Sequence, residues 1–247
     1  MKVGFKTDTG KIRTNNEDAL LILPKYGVFT VADGVGGQNF GEMASRNAVL
    51  GIQEFVENNS LDNSKEEDQQ HKANWLMNYF ISCYTKINTR IVDLADESPD
   101  RHGMATTAVT AYVDDKELFV INIGDSRAYV LRDGLLNQIT EDHTYVNSLV
   151  NDGSLTENEA REHPQKNIIT KALGAETGIA PDFYRTELME EDVVLLCSDG
   201  LHGEVSDSEM AQIISTGEDM NDTCRQLVEV ANKYGGKDNI TVICIKI

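Results

Sequence analysis

Residues 106–134 read TTAVTAYVDDKELFVINIGDSRAYVLRDG, and this stretch decides the fold class. It contains three short segments rich in β-branched and aromatic residues, at Thr106 to Val113, Glu117 to Ile123 and Arg127 to Leu131. Asp114-Asp115 and Asp133-Gly134 follow two of these segments, and such pairs favour tight turns. The pattern predicts a hairpin-rich antiparallel meander rather than regular strand and helix alternation, so we assign the chain to the α+β class.

The flanking sequence predicts further strands and helices that complete one layered domain over residues 1–247. The additional strands are predicted at Tyr26 to Ala32, Val193 to Cys197 and Ile240 to Ile245. Helical spacing of apolar residues predicts helices at Phe40 to Glu57, Trp75 to Leu94, Tyr145 to Asn151, Glu157 to Glu162, Ser206 to Ile214 and Asp219 to Tyr234. The polar tract from Asn58 to Lys72 is expected to be an exposed loop.

Composition excludes several classes of protein and partner. The 247 residues include 22 basic and 41 acidic side chains, so the formal charge is -19 and binding to a nucleic acid backbone is disfavoured. The four cysteines form no CxxC pair and are expected to be free buried thiols. Since the N-terminus lacks the apolar stretch of a signal peptide and no window resembles a membrane span, we expect a cytoplasmic protein without a membrane partner.

Aspartates recur at the ends of apolar strands. They stand in Val31-Ala32-Asp33-Gly34, Ile123-Gly124-Asp125, Cys197-Ser198-Asp199-Gly200 and Gly236-Lys237-Asp238-Asn239. An isolated Asp-Gly pair is usually a turn, and we interpret Asp133-Gly134 and Asp152-Gly153 in that way. The other four adjoin strands that look buried, so their carboxylates are expected to gather at one end of a sheet core. Clustered carboxylates repel one another unless a cation lies among them.

The donor types favour hydrolysis assisted by metal ions. Carboxylates and a backbone carbonyl are hard ligands, and without a Cys or His cluster they favour Mg²⁺ or Mn²⁺ over zinc. Two such ions can lower the pKa of one bridging water while phosphate binds beside them. Neither a G-x-S-x-G elbow nor a phosphate-binding G-x-x-x-x-G-K-[ST] loop occurs, and no His is spaced to activate Ser126 or Ser198. The sequence therefore predicts hydrolysis without a protein nucleophile.

Seven motifs in order resemble the metal-dependent type 2C serine/threonine protein phosphatases, the PPM family, in their compact bacterial form. They are Thr9-Gly10 with Arg13-Thr14-Asn15-Asn16-Glu17-Asp18, Val31-Ala32-Asp33-Gly34-Val35-Gly36-Gly37, Gly103-Met104-Ala105-Thr106-Thr107-Ala108, Gly124-Asp125-Ser126-Arg127, Asp142-His143-Thr144, Ser198-Asp199-Gly200-Leu201 and Gly235-Gly236-Lys237-Asp238-Asn239-Ile240-Thr241. The resemblance implies a four-layer α-β-β-α sandwich of two antiparallel sheets flanked by helices. It also implies a single catalytic domain over residues 1–247 with a mobile flap at about 145–173, a segment that could instead be only two short helices and a loop.

The resemblance assigns a metal site to the strand-end aspartates. Asp33 would bridge two tightly bound Mn²⁺ or Mg²⁺ ions and is the central catalytic ligand. The Gly34 carbonyl would bind one ion, and Asp199 and Asp238 would bind the other. The implied reaction is hydrolysis of phosphoserine and phosphothreonine in proteins by a water or hydroxide that bridges the two ions.

Four further residues receive roles from the same resemblance. Glu17 and Asp18 would hold metal-bound waters. Arg13 would bind the phosphate in catalysis, since a guanidinium fork fits two phosphoryl oxygens, unless it forms a surface ion pair with Glu17 or Asp18. Asp125, together with Asp199, would hold a third and weaker ion, unless it is a structural cap.

Three positions depart from the family pattern or stand outside its chemistry. Val35 follows the bridging Asp-Gly where some relatives carry a His that protonates the leaving oxygen, so the general acid is unassigned and a metal-bound water is preferred. After Leu201 the chain has His202-Gly203 where many relatives offer a further Asp, which implies a loosely held third ion. His143 is interpreted as structural.

The resemblance implies phosphorylated proteins as partners, among them a serine/threonine kinase and that kinase's substrates, and we expect a monomer. Two alternatives stay open from the sequence. One is a phosphatase-like domain that binds phosphoproteins without turnover, although all the core aspartates are present. The other is a nuclease or small-molecule phosphohydrolase that uses the same ion pair.

Overall fold

The computed structural model describes residues 1–36, 40–61 and 69–247, in which the chain forms eleven strands and seven α-helices. The strands are β1 (Lys2–Asp8), β2 (Asp18–Leu23), β3 (Val28–Val35), β4 (Ala105–Thr106), β5 (Ala108–Asp114), β6 (Glu117–Ile123), β7 (Arg127–Arg132), β8 (Leu135–Gln138), β9 (Asp182–Glu187), β10 (Val193–Cys197) and β11 (Ile240–Lys246). The helices are α1 (Phe40–Asn58), α2 (Gln69–Asp96), α3 (Tyr145–Asn151), α4 (Glu157–Glu162), α5 (Asp199–His202), α6 (Asp207–Thr216) and α7 (Met220–Tyr234).

The strands form two antiparallel sheets that pack face to face. One sheet has the order β1-β11-β10-β7-β8, and the other has the order β2-β3-β5-β6-β9, with β4 paired to β3. Helices α1 and α2 cover the outer face of the β3 sheet, whereas α6 and α7 cover the outer face of the β11 sheet. The predicted α+β class and α-β-β-α layering are confirmed.

Alternation along the central strands builds three hydrophobic layers. On β3, Val28 and Ala32 pack against α1 and α2, while Phe29 and Val31 point between the sheets. Side chains of a strand alternate between its two faces, so every second residue of β10 and β11 also lies in the layer between the sheets: Val194, Leu196, Ile243 and Ile245. Each fully buried aliphatic side chain contributes about 1.5–3 kcal/mol. The layer between the sheets therefore fixes how one sheet lies on the other.

The predicted meander is divided between the two sheets. Strand β6 pairs with β5 and β9, while β7 pairs with β10 and β8, so β6 and β7 are consecutive in sequence but are not partners. The chain crosses between the sheets at Gly124-Asp125-Ser126. Gly124 has a φ of 107°, and a Cβ there would lie 2.5 Å from the Thr107 Cβ, so glycine is required. The two predicted hairpin turns, at Asp115 and at Asp133-Gly134, are confirmed with left-handed backbone.

Four strands escaped prediction: β1, β2, β8 and β9. All four lie at the edges of the two sheets, where one long side has no strand partner. Their side chains are mostly exposed or half-buried, so their sequences lack the continuous apolar character of the central strands. Edge position thus explains why the hydrophobic pattern did not reveal them.

The polar tract from Asn58 to Lys72 is only partly described, because residues 62–68 lie outside the described residues, as does Gly37 of the second motif. The expectation of an exposed loop was wrong at its end, where α2 has already begun. The Lys72 side chain is 11% exposed, and its Nζ lies 2.6 Å from Glu117 Oε2 and 2.9 Å from Asp114 Oδ2. This ion pair fastens α2 to the hairpin between β5 and β6.

All four cysteines are free and buried, as expected. Among the described helices, none is long and apolar enough to cross a membrane.

Candidate active site

The strand-end aspartates come together at one end of the sandwich. Asp33 lies near the end of β3, and Asp18 begins β2 directly opposite it in the antiparallel register. Asp199 follows β10, and Asp238 precedes β11, so both arrive from the other sheet. Burial raises the pKa of Asp33 well above its usual value, and the charges of the three other carboxylates and of Asp125 raise it further. The predicted gathering of carboxylates is therefore present.

The neighbouring carboxyls are also difficult to ionise without a counter-charge. Burial raises the pKa of Asp18 to about 7, against the hydrogen bonds it accepts, and the charges of Asp199 and Asp238 add to the rise. Burial likewise raises the pKa of Asp125 to about 8 and that of Asp199 to about 6. Carboxyls shifted in this way, gathered in one place, are characteristic of functional sites and are stabilised by a cation.

Two carboxylate oxygens of the cluster fit a hard cation. Asp18 Oδ1 and Asp199 Oδ1 are buried and have no hydrogen-bond partner, which is costly for an ionised oxygen unless it binds an ion or an ordered water. Nevertheless, within the described ranges no group of three or more His, Cys, Asp or Glu side chains is arranged as the ligands of one ion. A bound ion would therefore need additional ligands, from backbone carbonyls or water, or a rearranged side chain.

Hydroxyl groups hold the aspartates in place. Ser198 Oγ donates to Asp18 Oδ2 at 2.8 Å and accepts from the Thr241 amide at 2.9 Å, which joins β2 to the neighbouring sheet. Thr107 Oγ1 accepts from the Asp33 amide at 3.0 Å, and Thr106 Oγ1 donates to the Asp33 carbonyl at 2.9 Å. These bonds leave the Asp33 carboxylate free to face the cluster.

Asn239 attaches the loop that carries Arg13 and Glu17 to the start of β11. Its buried side chain accepts from the Glu17 amide at 2.8 Å and donates to the carbonyls of Asn15 at 2.8 Å and Thr9 at 2.9 Å. One side chain thus satisfies three backbone groups of a loop that has no regular structure of its own. This network positions Glu17 beside the aspartates.

The first turn of α1 closes the site on another side. The Gly34 amide donates to the Glu17 carbonyl at 3.1 Å, and Ser45 Oγ donates to the same carbonyl at 2.6 Å. A Cβ on Gly41 would lie 2.7 Å from both the Gly34 carbonyl oxygen and Glu17 Oε2. Only a glycine at the start of α1 leaves these two oxygens where they are.

Arg13 lies on the rim and points at the cluster. Its Nη2 donates to Asp238 Oδ2 at 2.7 Å, and the side chain is 52% exposed. The alternative of an ion pair with Glu17 or Asp18 was wrong, because the partner is Asp238.

Asp125 lies at the crossing between the sheets and is 6% exposed. Its carbonyl accepts a hydrogen bond from His202 Nε2 at 3.0 Å, and burial lowers the pKa of His202 to about 3, so this imidazole is neutral. Asp125 and Asp199 line a cavity of about 680 Å³ that extends between α3, α4 and the turn before α6. Other charged lining residues are Arg127, Glu141, Asp142, Glu157, Lys166, Glu204 and Asp207.

Several residues of this arrangement received no role from the sequence: Thr107, Ser198, His202, Asn239 and Gly41. Three stand inside the quoted motifs, where their types suggested turns or strands rather than support for a neighbour. A polar residue within an otherwise apolar strand end, such as Thr107 or Ser198, is the signal that could have indicated them. Gly41 offered no signal of this kind, since its importance depends on a contact between distant segments.

Known proteins resemble this chain in sequence and in fold. The model of the family described as protein phosphatase 2C matches residues 11–242. The serine/threonine phosphatase stp of Listeria innocua is 34% identical over 249 residues, covering 100% of this chain and 96% of that protein. The crystal structure of serine/threonine phosphatase Stp1 from Staphylococcus aureus superposes with a TM-score of 0.89 at 36% identity, covering 100% of this chain and 95% of that one.

A further solved structure contains metal. The catalytic domain of serine threonine protein phosphatase PstP in complex with two manganese ions superposes with a TM-score of 0.83 at 31% identity, covering 98% of this chain and 96% of that one. The match of the family model over nearly the whole chain and the full-length similarity to the relatives show the family. The chain belongs to the protein phosphatase 2C family.

Proposed function

We propose that this chain is a metal-dependent phosphatase that removes phosphate from phosphoserine and phosphothreonine in proteins, using Mn²⁺ or Mg²⁺. The observation that carries the proposal is the cluster of Asp18, Asp33, Asp125 and Asp199. Their raised pKa values, together with the unpartnered Oδ1 atoms of Asp18 and Asp199, suit divalent cations. Membership of the family and the names of the relatives support the reaction and the enzyme class.

The proposed ligands divide between the two sheets. Asp33 would contribute to both ion sites, the Gly34 carbonyl to one, and Asp199 and Asp238 to the other. Bound ions would activate a water for direct attack on phosphorus and offset the charge of the phosphate. Glu17 and Asp18 would orient the surrounding waters, and the unpartnered Asp18 Oδ1 is available for that purpose.

Arg13 would bind the phosphate of the substrate. Its Nη2 donates to Asp238 Oδ2, so that oxygen would have to leave the guanidinium in order to hold an ion. The guanidinium would then present two parallel donors to phosphoryl oxygens, a geometry that favours bidentate contact. Substrate positioning and charge stabilisation at the phosphate are the roles of Arg13.

We propose that Asp125, with Asp199, holds a third and weaker ion at the mouth of the cavity. Support comes from the buried Asp125 carboxylate, which faces the cavity and has no side-chain partner in the described hydrogen bonds. Gly203 adds no carboxylate, so millimolar Mn²⁺ or Mg²⁺ should be needed for full rate. Asp125→Ala should keep the two tight sites by calorimetry and lose most turnover at saturating metal, whereas a structural cap would lose about 1 kcal/mol of stability and little turnover.

Val35 offers no proton to the leaving oxygen, so we propose that a water supplies it. The segment at about 145–173, which contains α3 and α4 and borders the cavity, is proposed as the flap of a single catalytic domain over residues 1–247. As physiological partners we propose phosphorylated proteins, including a serine/threonine kinase and its substrates. We further propose that the enzyme acts in the cytoplasm as a monomer.

The test measures phosphate release from phosphothreonine, phosphoserine and phosphotyrosine peptides and from nucleotides, with Mn²⁺, with Mg²⁺ and with excess chelator. The proposal expects metal-dependent release from phosphothreonine and phosphoserine peptides. Equal activity with chelator would refute the metal mechanism. Faster release from nucleotides would favour a small-molecule phosphohydrolase, and tight phosphopeptide binding without release would favour a binding domain.

A further inference from the structure

His143 forms two reciprocal hydrogen bonds with Gly124, the residue that precedes Asp125. The His143 amide donates to the Gly124 carbonyl at 3.0 Å, and the Gly124 amide donates to His143 Nδ1 at 3.0 Å. The imidazole is 7% exposed. Among the hydrogen bonds of the described residues, the imidazole binds the crossing between the sheets and none of the proposed ligands of the two tight ions.

The hydrogen bonds determine the tautomer of His143. A backbone amide can only donate, so Nδ1 must present its lone pair and Nε2 must carry the proton. Nε2 lies 3.1 Å from Asp182 Oδ2, which accepts that proton. Lys171 Nζ, 3.2 Å from Nε2, can only donate and therefore makes no hydrogen bond to a protonated Nε2. Burial lowers the pKa of His143, which agrees with a neutral ring.

Histidines bind the backbone on both sides of Asp125. The His143 amide donates to the Gly124 carbonyl, in the peptide group that precedes Asp125, and His143 Nδ1 accepts from the Gly124 amide, one peptide group earlier. On the other side, His202 Nε2 donates to the Asp125 carbonyl. Gly124 has a φ of 107° in a region that glycine enters freely, so its own backbone does not fix the direction of the next residue. The two bonds from His143 to the amide and the carbonyl of Gly124 therefore restrain its backbone on both sides, and with it the direction of the Asp125 carboxylate.

His143 also stands at the base of the segment that borders this cavity. Its carbonyl accepts from the Thr170 amide at 2.8 Å, and the next residue, Thr144, caps α3. The Tyr145 amide donates to the Ile168 carbonyl at 2.8 Å, so both ends of the segment meet beside His143. The imidazole therefore connects that base to the crossing that carries Asp125.

We propose that His143 is a positioning residue: its Nδ1 lone pair fixes the Gly124 amide and thereby holds the Asp125 carboxylate in place for the weaker ion. The inference rests on the proposed third-ion role of Asp125. It adds the requirement that Nδ1 of His143 accepts a hydrogen bond from the Gly124 amide. The other nitrogen, Nε2, contributes by donating its proton to Asp182, which favours this tautomer.

Two substitutions separate the two ring nitrogens. Asn Oδ1 stands as many bonds from the backbone as Nδ1 and can accept from Gly124, whereas Gln Nε2 matches the His Nε2 and can donate to Asp182. Both variants lose a buried ring, so general destabilisation affects both. His143→Asn should keep the weaker Mn²⁺ site by calorimetry and most of the turnover. His143→Gln should lose that site, reduce turnover at least tenfold at fixed Mn²⁺, and accelerate hydrogen exchange of the Gly124 amide.

Equal exchange of the Gly124 amide and equal Mn²⁺ binding in the two folded variants would overturn the inference. Asp125→Ala, measured in parallel, distinguishes this failure from failure of the proposed third ion. If Asp125→Ala binds Mn²⁺ as the unmodified enzyme does, the third-ion role itself is refuted. If Asp125→Ala has lost the weaker site but His143→Gln retains it despite fast Gly124 exchange, then His143 does not position Asp125.

Discussion

Gly41, at the start of α1, provides a direct test of how the site is enclosed. A Cβ at this position would lie 2.7 Å from the Gly34 carbonyl oxygen and from Glu17 Oε2. Ordinary contact begins at 3.4 Å, so both oxygens, or the start of the helix itself, must move by about 0.7 Å to restore it. The Glu17 side chain can rotate, but the Gly34 backbone is held on both sides. Its amide donates a hydrogen bond to the Glu17 carbonyl, just before β2, and Gly34 pairs with Thr106 of β4.

Gly41→Ala should therefore weaken metal binding rather than unfold the protein. Metal sites tolerate ligand shifts of only about 0.2 Å, and disturbing the surroundings of a ligand typically costs about 10- to 100-fold in affinity. Replacing a helical glycine by alanine itself favours the helix by up to about 1 kcal/mol, so thermal stability without metal should change little. Calorimetric titration with Mn²⁺ and the metal dependence of phosphate release measure the effect.

Gly51, in the same helix, is the matched control. A Cβ there would lie 2.8 Å from Ile87 Cγ1, so the overlap is similar but is directed into the core between α1 and α2. Gly51→Ala should cost about 1–3 kcal/mol of stability by overpacking and leave Mn²⁺ affinity unchanged. A normal metal titration for folded Gly41→Ala would show that the Gly34 carbonyl is not a ligand.

The remaining predictions concern charge. Asp33→Asn should abolish turnover while the circular dichroism stays native, and retained turnover would remove Asp33 from the mechanism. Arg13→Ala should lower kcat/KM for phosphopeptides about 30-fold, since a lost charge-assisted contact costs about 2 kcal/mol; an unchanged value would show that Arg13 faces elsewhere. With a net charge of -19, the enzyme should prefer peptides with basic residues beside the phosphate, an advantage that fades as salt shortens the Debye length to about 8 Å; equal rates for acidic peptides at low salt would contradict this. The pKa values of Asp18 and Asp125 in the folded protein are about 7 and about 8, above those of the unfolded chain. The folded state therefore binds more protons, and the metal-stripped protein should lose stability as pH rises from about 4 to 8. Thermal melts at several pH values measure this loss.

The sequence was most informative where burial is greatest. Central strands such as β6 and β10 were predicted with their observed limits, because residues buried on both faces leave an apolar run that only a strand of that length explains. Edge strands such as β1 bury too little to leave such a run. The division of β6 and β7 between sheets was also hidden, since a turn between paired strands and a crossing between sheets can share the same Gly-Asp sequence.

Site residues were predicted where the chemistry requires a particular residue type. They were missed where their importance depends on their position in the folded chain. Strand-end aspartates indicated a cation from their own chemistry, and the structure brings Asp33, Asp199 and Asp238 together. The alternative that paired Arg13 with Glu17 or Asp18 was wrong, because the choice among nearby carboxylates depends on how the loop of residues 9–17 is folded. That loop is shaped by Asn239, more than 220 residues further along the chain, and no local pattern contains such information.

The division of the carboxylates between two sheets has a consequence for folding. Asp18 and Asp33 belong to one sheet, whereas Asp199 and Asp238 adjoin strands of the other. Ions held by Asp33 from one sheet and by Asp199 and Asp238 from the other would cross-link the two sheets, and the unfolded chain would have no comparable affinity for the ions. Free ion at about one hundred times its dissociation constant adds about 2.7 kcal/mol to the free energy of unfolding. The supply of divalent metal would then determine how long the enzyme survives as well as how fast it works.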